Sequence, residues 1–279
     1  MQEFEDILNE FDEVTGEQKP VVFATFVMDH SGSMTGDRDM CISNFNEQIQ
    51  SMKSKTEVST YFTQVDFSDW VQVTGPYPID YVSELTDYQT YGTTALNDAI
   101  AKAIEINKKM MEESKIKDKS SLIIVVTDGQ ENASSNFSGA DGTEKLQDII
   151  KKLQAQGDWT FTFMAADLQV QRYATQSLGI DAGNTMCFEK TSMGYDALNK
   201  TTLRGLDSYY DMRVRGGMST NDFTQVSDGT DASGKWSDGD SADISGKLTD
   251  EQYQKMIEEA VRRLSLEVDD GDEKERADD

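Results

Sequence analysis

The sequence has only one histidine, His30, among its 279 residues. His30 precedes Ser31 directly, and successive side chains at the end of a strand point apart, so the two residues do not form part of a Ser-His-Asp triad. Metal-assisted hydrolysis would need a base near the activated water, and no third clustered carboxylate is offered. Glycine-rich nucleotide-binding motifs are also missing. The sequence therefore predicts a protein that is not an enzyme.

Basic residues, cysteines and long apolar runs are scarce. The 26 basic residues are outnumbered by 52 acidic residues, which gives a net charge of −26. Nucleic acid and anionic membranes are therefore excluded as main partners, because both bind lysine- and arginine-rich surfaces. No run is long enough for a signal peptide or a membrane span, and Cys41 and Cys187 are interpreted as free thiols. We expect a cytoplasmic protein, whose oligomeric state the sequence leaves open.

Dense apolar segments alternate with helical patterns along the middle of the chain. Residues 122–126 are apolar throughout and residues 21–28 are apolar except for Thr25, which is typical of strands covered on both faces of a parallel sheet. Aromatic and β-branched residues at 57–66 and 69–74 predict a hairpin at a sheet edge, broken by the prolines of residues 75–78. The pattern predicts an α/β fold with a mostly parallel sheet and one antiparallel edge strand.

Composition divides the chain into five predicted segments. Phenylalanine, isoleucine and leucine at helical spacing indicate a helix near the start, and a capping box at Thr249 indicates another near the end. The later helix either folds back on the domain or binds a groove of a partner. The segments are an acidic amphipathic helix (1–19), the α/β domain (20–215), a flexible acidic linker (216–247), an amphipathic helix (248–266) and an acidic disordered tail (267–279).

Oxygen-bearing side chains follow two of the predicted buried strands. Asp29, Ser31 and Ser33 come after the first of them, and Asp128 ends the other. A pair of threonines, beginning with Thr93, opens a predicted helix and suits its N-terminal cap. Because ligands bind outside the carboxyl ends of strands in such sheets, we expect these groups to converge. Oxygen ligands suit a hard cation, although Asp-x-Ser-x-Ser alone also fits an ordinary turn.

Together these motifs resemble the metal-ion-dependent adhesion site of von Willebrand factor A domains. Asp29-x-Ser31-x-Ser33, Gly92-Thr93-Thr94 and Asp128-Gly129 occur here in the family's order. The resemblance covers roughly residues 20–213, and residues 92–100 and 127–133 are particularly similar to small stand-alone A-domain proteins of bacteria and their phages. It implies a Rossmann-like, doubly wound α/β fold with the complete set of metal-binding motifs.

The resemblance also implies how a cation would be held. Ser31, Ser33 and Thr93 would ligate it through their hydroxyls, and Asp29 and Asp128 directly or through water. Mg2+ is the expected ion, with Mn2+ or Ca2+ as alternatives. The remaining position would be filled by an Asp or Glu of an unidentified partner protein. The implied function is a metal-dependent adhesion or adaptor module.

Two other functions remain open at this point. One alternative is a structural subunit of a phage particle or another large assembly, in which the metal stabilises loops. The other is an adaptor for an AAA+ ATPase. A phage-encoded chain would be virion-associated rather than cytoplasmic. Asp167, after the predicted fifth strand, lies at the same end of the sheet, and capping the next helix is favoured over a contact with the site.

Overall fold

A computed structural model describes residues 19–225 of the chain. The predicted helices at 1–19 and 248–266, the linker beyond residue 225 and the acidic tail lie outside the described residues, apart from Lys19. Within the described range, every helix is too short or too polar to traverse a lipid bilayer.

A six-stranded sheet forms the centre of the described region. Its order is β3-β2-β1-β4-β5-β6, with β3 antiparallel to β2 and all other neighbours parallel. The predicted α/β fold, mostly parallel with one antiparallel edge strand, is confirmed. The strands are β1 (Val21–Asp29), β2 (Ser59–Phe67), β3 (Val71–Pro78), β4 (Lys119–Thr127), β5 (Trp159–Ala165) and β6 (Thr185–Cys187).

Helices cover both faces of the sheet. Short 3-10 segments at Gly32–Asp37, Ile79–Tyr81 and Ala182–Asn184 join them to the strands, and a π-helical turn at Tyr173–Ser177 continues the helix Leu168–Arg172. The described helices are α1 (Arg38–Lys53), α2 (Leu96–Glu113), α3 (Gly139–Gln156), α4 (Leu168–Arg172) and α5 (Ser192–Val214).

The two faces of β1 pack against different helices, because alternate side chains of a strand point to opposite sides. On one side Phe26 packs edge-on against Phe45 of α1, with ring centroids 5.8 Å apart. On the other side the hydroxyl of Thr25 donates to the side-chain Oδ1 of Asn107 in α2 over 2.7 Å. Every residue of β1 is buried, so the strand is fixed from both sides and its carboxyl end is rigidly placed.

The predicted break of the hairpin at residues 75–78 is wrong. β3 continues to Pro78 and pairs with β2 again beyond a register shift between Phe62 and Gln64. Proline has no amide hydrogen to donate, but an edge strand tolerates it because one of its sides has no neighbouring strand to bond.

Candidate metal centre

The candidate centre lies where β1 and β4 end side by side. Met28 pairs with Val126 in the parallel register, so Asp29 and Thr127 terminate neighbouring strands at the same edge of the sheet. The loop that precedes α2 closes over this edge, and the Gly32 amide donates to the Gly92 carbonyl over 3.1 Å. Three segments that are distant in the sequence therefore meet at one point.

Asp29 forms the buried floor of the centre, with 0% of its surface exposed. Its Oδ1 accepts a hydrogen bond from the Ser31 amide over 2.7 Å, and its Oδ2 accepts one from the Thr127 hydroxyl over 2.5 Å. Burial raises the pKa of Asp29 more than these hydrogen bonds lower it, and the neighbouring charge of Asp128 adds to the rise. A metal-free Asp29 is therefore a costly buried anion.

A chain of oxygens leads from this floor to the surface. The hydroxyls of Ser31 and Ser33 are 3.0 Å apart, and the Ser33 hydroxyl donates to Asp128 Oδ1 over 2.7 Å. Ser31 is buried, whereas Ser33 is exposed. The structure thus brings four of the five predicted ligands together: Asp29, Ser31, Ser33 and Asp128.

The two threonines of the third loop have different environments. Thr93 is exposed, and its backbone carbonyl accepts a hydrogen bond from Ser68 over 3.1 Å. Thr94 is only 3% exposed. A Cβ atom added to Gly129 would lie 2.8 Å from Thr94 Oγ1 and 3.4 Å from Asp29 Oδ2. The Thr94 hydroxyl is therefore the one beside Asp29, and the sequence reasoning, which chose Thr93, missed it.

Asn132 holds Thr94 in this position. The Asn132 side-chain carbonyl accepts from the Thr94 amide over 2.9 Å, and the Asn132 and Ala133 amides donate to the Thr94 carbonyl over 3.0 and 3.2 Å. Both polar groups of the Thr94 backbone are thus satisfied by the loop that follows Asp128. This contact links two of the motifs that the sequence presents separately.

The same loop caps the start of α2, and the predicted threonine cap is wrong. The residue before α2 is Ala95, whose methyl side chain cannot accept a hydrogen bond. Instead, Glu131 Oε2 accepts from the Asn97 amide over 2.8 Å and Ser134 Oγ accepts from the Asp98 amide over 3.0 Å. A carboxylate at a helix N-terminus also interacts favourably with the helix dipole.

His30 and Tyr88 support the floor from the other side. The His30 ring lies between the Gln89 carbonyl, 2.7 Å from Nδ1, and Asp66 Oδ1, 3.0 Å from Nε2. The Tyr88 hydroxyl donates to the Asp29 carbonyl. The lone histidine therefore anchors the segment that leads to the threonine loop.

Two further charged residues at the centre were missed by sequence reasoning. Lys190 follows β6, and its ammonium lies 2.5 Å from Asp128 Oδ2 and 2.8 Å from Asp37 Oδ2. Burial lowers the pKa of Lys190, but its bonds to the two carboxylates outweigh this and leave the pKa above the ordinary lysine value. Only its position after a strand of the same sheet could have suggested Lys190.

Asp167 lies at the same edge of the sheet, but its side chain caps the N-terminus of α4. Its Oδ1 accepts from the Gln169 and Val170 amides over 2.7 and 2.9 Å. The prediction that Asp167 caps the following helix is confirmed.

The donor set fits a hard divalent cation. It consists of hydroxyls and carboxylates, the oxygen ligands that Mg2+ and Ca2+ prefer. Within residues 19–225 no group of three or more histidine, cysteine, aspartate and glutamate side chains is placed to hold a metal ion. A cation at this centre would therefore depend on the hydroxyls as well as on the two carboxylates, with Asp29, Ser31, Ser33, Thr94 and Asp128 as the residues that would hold it.

Fold and site together define an α/β domain with an oxygen-lined centre at the carboxyl edge of its sheet. The model of the von Willebrand factor type A domain matches residues 25–201, and the chain belongs to that family. Domains of this family commonly bind divalent cations and often mediate metal-dependent protein–protein interactions. A comparison with curated protein sequences gives no match.

Solved structures that are similar to this chain come from varied proteins. The ArnB paralog VWA2 from Sulfolobus acidocaldarius is 16% identical, with a TM-score of 0.47 over 67% of this chain and 45% of that one. The PilB minor pilin from Streptococcus sanguinis is 13% identical, with a TM-score of 0.47 over 71% and 63%. Proximal thread matrix protein 1 from the mussel byssus, with a zinc-occupied MIDAS motif, is 14% identical, with a TM-score of 0.43 over 70% and 46%. The chain spans less than two thirds of each.

Proposed function

We propose that the domain is a metal-dependent protein–protein interaction module. The observation that carries this proposal is the chain of oxygens that begins at buried Asp29 and continues through Ser31 to exposed Ser33, whose hydroxyl donates to Asp128. A Mg2+ ion held along it by Asp29, Ser31, Ser33, Thr94 and Asp128 would be accessible to a protein that presents an Asp or Glu side chain.

The chemistry of the ligands supports an acidic partner. Two carboxylates neutralise a divalent ion, whereas neutral hydroxyls donate little charge, so the ion stays electrophilic and favours a further anionic ligand. The net charge of −26 would slow the encounter with an acidic protein. At contact distance the ion dominates the local field, because salt screens distant surface charges.

Thr94 rather than Thr93 is the threonine that we assign to the ion. Thr94→Ala is expected to weaken Mg2+ binding by at least about ten-fold, the effect of about 1.4 kcal/mol. Thr94→Ser keeps the hydroxyl and should retain most of the affinity, and Thr93→Ala should stay within about two-fold of the wild type. Calorimetric titration of the three variants checks this assignment. Weaker binding in Thr93→Ala than in Thr94→Ala would restore the assignment made from sequence.

Capture of the partner tests the function itself. The immobilised protein is incubated with a lysate of its native host, once in Mg2+ and once in EDTA, with Asp29→Asn as the matched variant. A module of the proposed kind captures a protein only as wild type and only in Mg2+, while remaining folded in EDTA. A structural subunit would instead lose its own fold or assembly when the metal is removed. Identical capture under all four conditions would refute the proposal.

A further inference from the structure

Lys190 connects the end of β6 to the two loops that carry the serines and Asp128. Its ammonium donates to Asp128 Oδ2 over 2.5 Å and to the Ser33 carbonyl over 2.8 Å. A third contact of 2.8 Å joins it to Asp37 Oδ2. Ser33 and Lys190 are 157 positions apart in the chain. This positive charge therefore reaches the centre from a separate segment.

The carboxylates that Lys190 contacts are shielded from water. The side chains of Asp37 and Asp128 are 7% and 2% exposed, whereas that of Lys190 is 35% exposed. Charges that are screened less by solvent interact more strongly, and a buried carboxylate that loses its partner is destabilising. Lys190 therefore stabilises the two acids as long as no other cation neutralises them.

A divalent cation at the proposed centre would interact with the same Asp128 carboxylate that Lys190 contacts. Lys190 and a divalent cation would both be neutralised by the Asp128 carboxylate, whose Oδ2 lies 2.5 Å from the ammonium, and two positive charges beside one carboxylate repel each other. We propose that Lys190 is a tethered counter-ion that stabilises the metal-free centre and competes with the divalent cation for Asp128. The inference rests on the proposed metal site and adds the residue that limits its affinity.

Replacement of Lys190 by methionine tests the competition, because methionine keeps an unbranched apolar stem and removes the charge. Lys190→Met is expected to melt lower in EDTA, by about 2–4 °C. It should nevertheless bind Mg2+ about ten-fold more tightly, since a unit charge beside Asp128 no longer opposes a divalent ion. Thermal melts in EDTA and calorimetric titration with Mg2+ measure the two effects, which have opposite signs.

Two controls separate charge from packing. Lys190→Arg keeps the positive charge and should bind Mg2+ within about two-fold of the wild type. Lys200→Met removes an exposed lysine of α5 and should change neither measurement. A lysine that only braced the loops would give weaker Mg2+ binding in Lys190→Met, which would overturn the inference.

The remaining outcomes are also decisive. If the wild type binds Mg2+ and Lys190→Met binds it no more tightly, the inference fails while the metal site stands. An unchanged melting temperature of Lys190→Met in EDTA also overturns it, whatever the metal does. If neither the wild type nor Lys190→Met binds Mg2+, the proposed metal site fails and the inference fails with it.

Discussion

Replacing Asp29 with asparagine is expected to raise the melting temperature of the metal-free protein by about 2–4 °C and to abolish its stabilisation by Mg2+. The gain arises because a buried anion near Asp128 becomes a neutral amide. The asparagine carbonyl can still accept from the Ser31 amide, and its NH2 group can donate to Thr127, whose hydroxyl also lies 3.2 Å from the Gly129 carbonyl. Thermal melts in EDTA and in Mg2+ measure both effects.

The pH dependence of the melting temperature in EDTA tests whether the charge of Asp29 destabilises the metal-free protein. Burial raises the pKa of Asp29 in the folded state, so folding favours the protonated carboxyl. The stability that this group contributes is fully present below its unfolded pKa of about 3.9 and is lost as pH rises through the raised folded value. The advantage of Asp29→Asn in EDTA should therefore grow from about pH 4 upward. A variant that melts below the wild type in EDTA at neutral pH would contradict this account.

Asp98→Ala is expected to destabilise the domain by about 3–5 kcal/mol and to lower its melting temperature by about 10 °C. Asp98 is 4% exposed, and its carboxylate accepts from the Ser135 and Phe137 amides over 2.8 Å each. It also accepts from the Asn136 amide over 3.2 Å. Removing it leaves three amides of this loop, including the buried amide of Phe137, without their acceptor. Urea unfolding measures the loss in free energy.

Two variants serve as controls for Asp98→Ala. Asp98→Asn keeps a carbonyl acceptor and should lose less stability than alanine does. Asp211→Ala removes an exposed aspartate of α5 and should change the free energy of unfolding by no more than about 0.5 kcal/mol. A loss in Asp98→Ala as small as that of Asp211→Ala would show that the carboxylate does not hold the loop.

The strands that position the centre could be predicted because burial on both faces leaves a dense apolar pattern. β1 and β4 show that pattern, and each delivers an aspartate at or just beyond its carboxyl end. The edge strand β3 was harder to delimit, because prolines that would interrupt a central strand are tolerated at an edge. The fold can therefore be predicted from hydrophobic periodicity, except at the edge strand, where residues that would interrupt a central strand are tolerated.

The sequence could not decide between Thr93 and Thr94. An irregular loop has no residue periodicity that predicts which side chains face the interior of the domain and which face solvent. The orientation depends on Asn132, 38 positions further along the chain, which bonds the Thr94 backbone. Lys190 shows the same limit at a longer range. Its contact with Ser33 requires the order of the strands and the path of the chain after β6, neither of which a local motif records.

The central claim is that three loops of this domain bind one divalent cation. Calorimetric titration of the EDTA-stripped wild type and of Asp29→Asn with Mg2+ tests it most directly. We predict one ion per chain for the wild type and no binding at the centre for Asp29→Asn, which melts cooperatively in the same buffer. Equal binding by the two proteins, or none by the wild type, would contradict the claim.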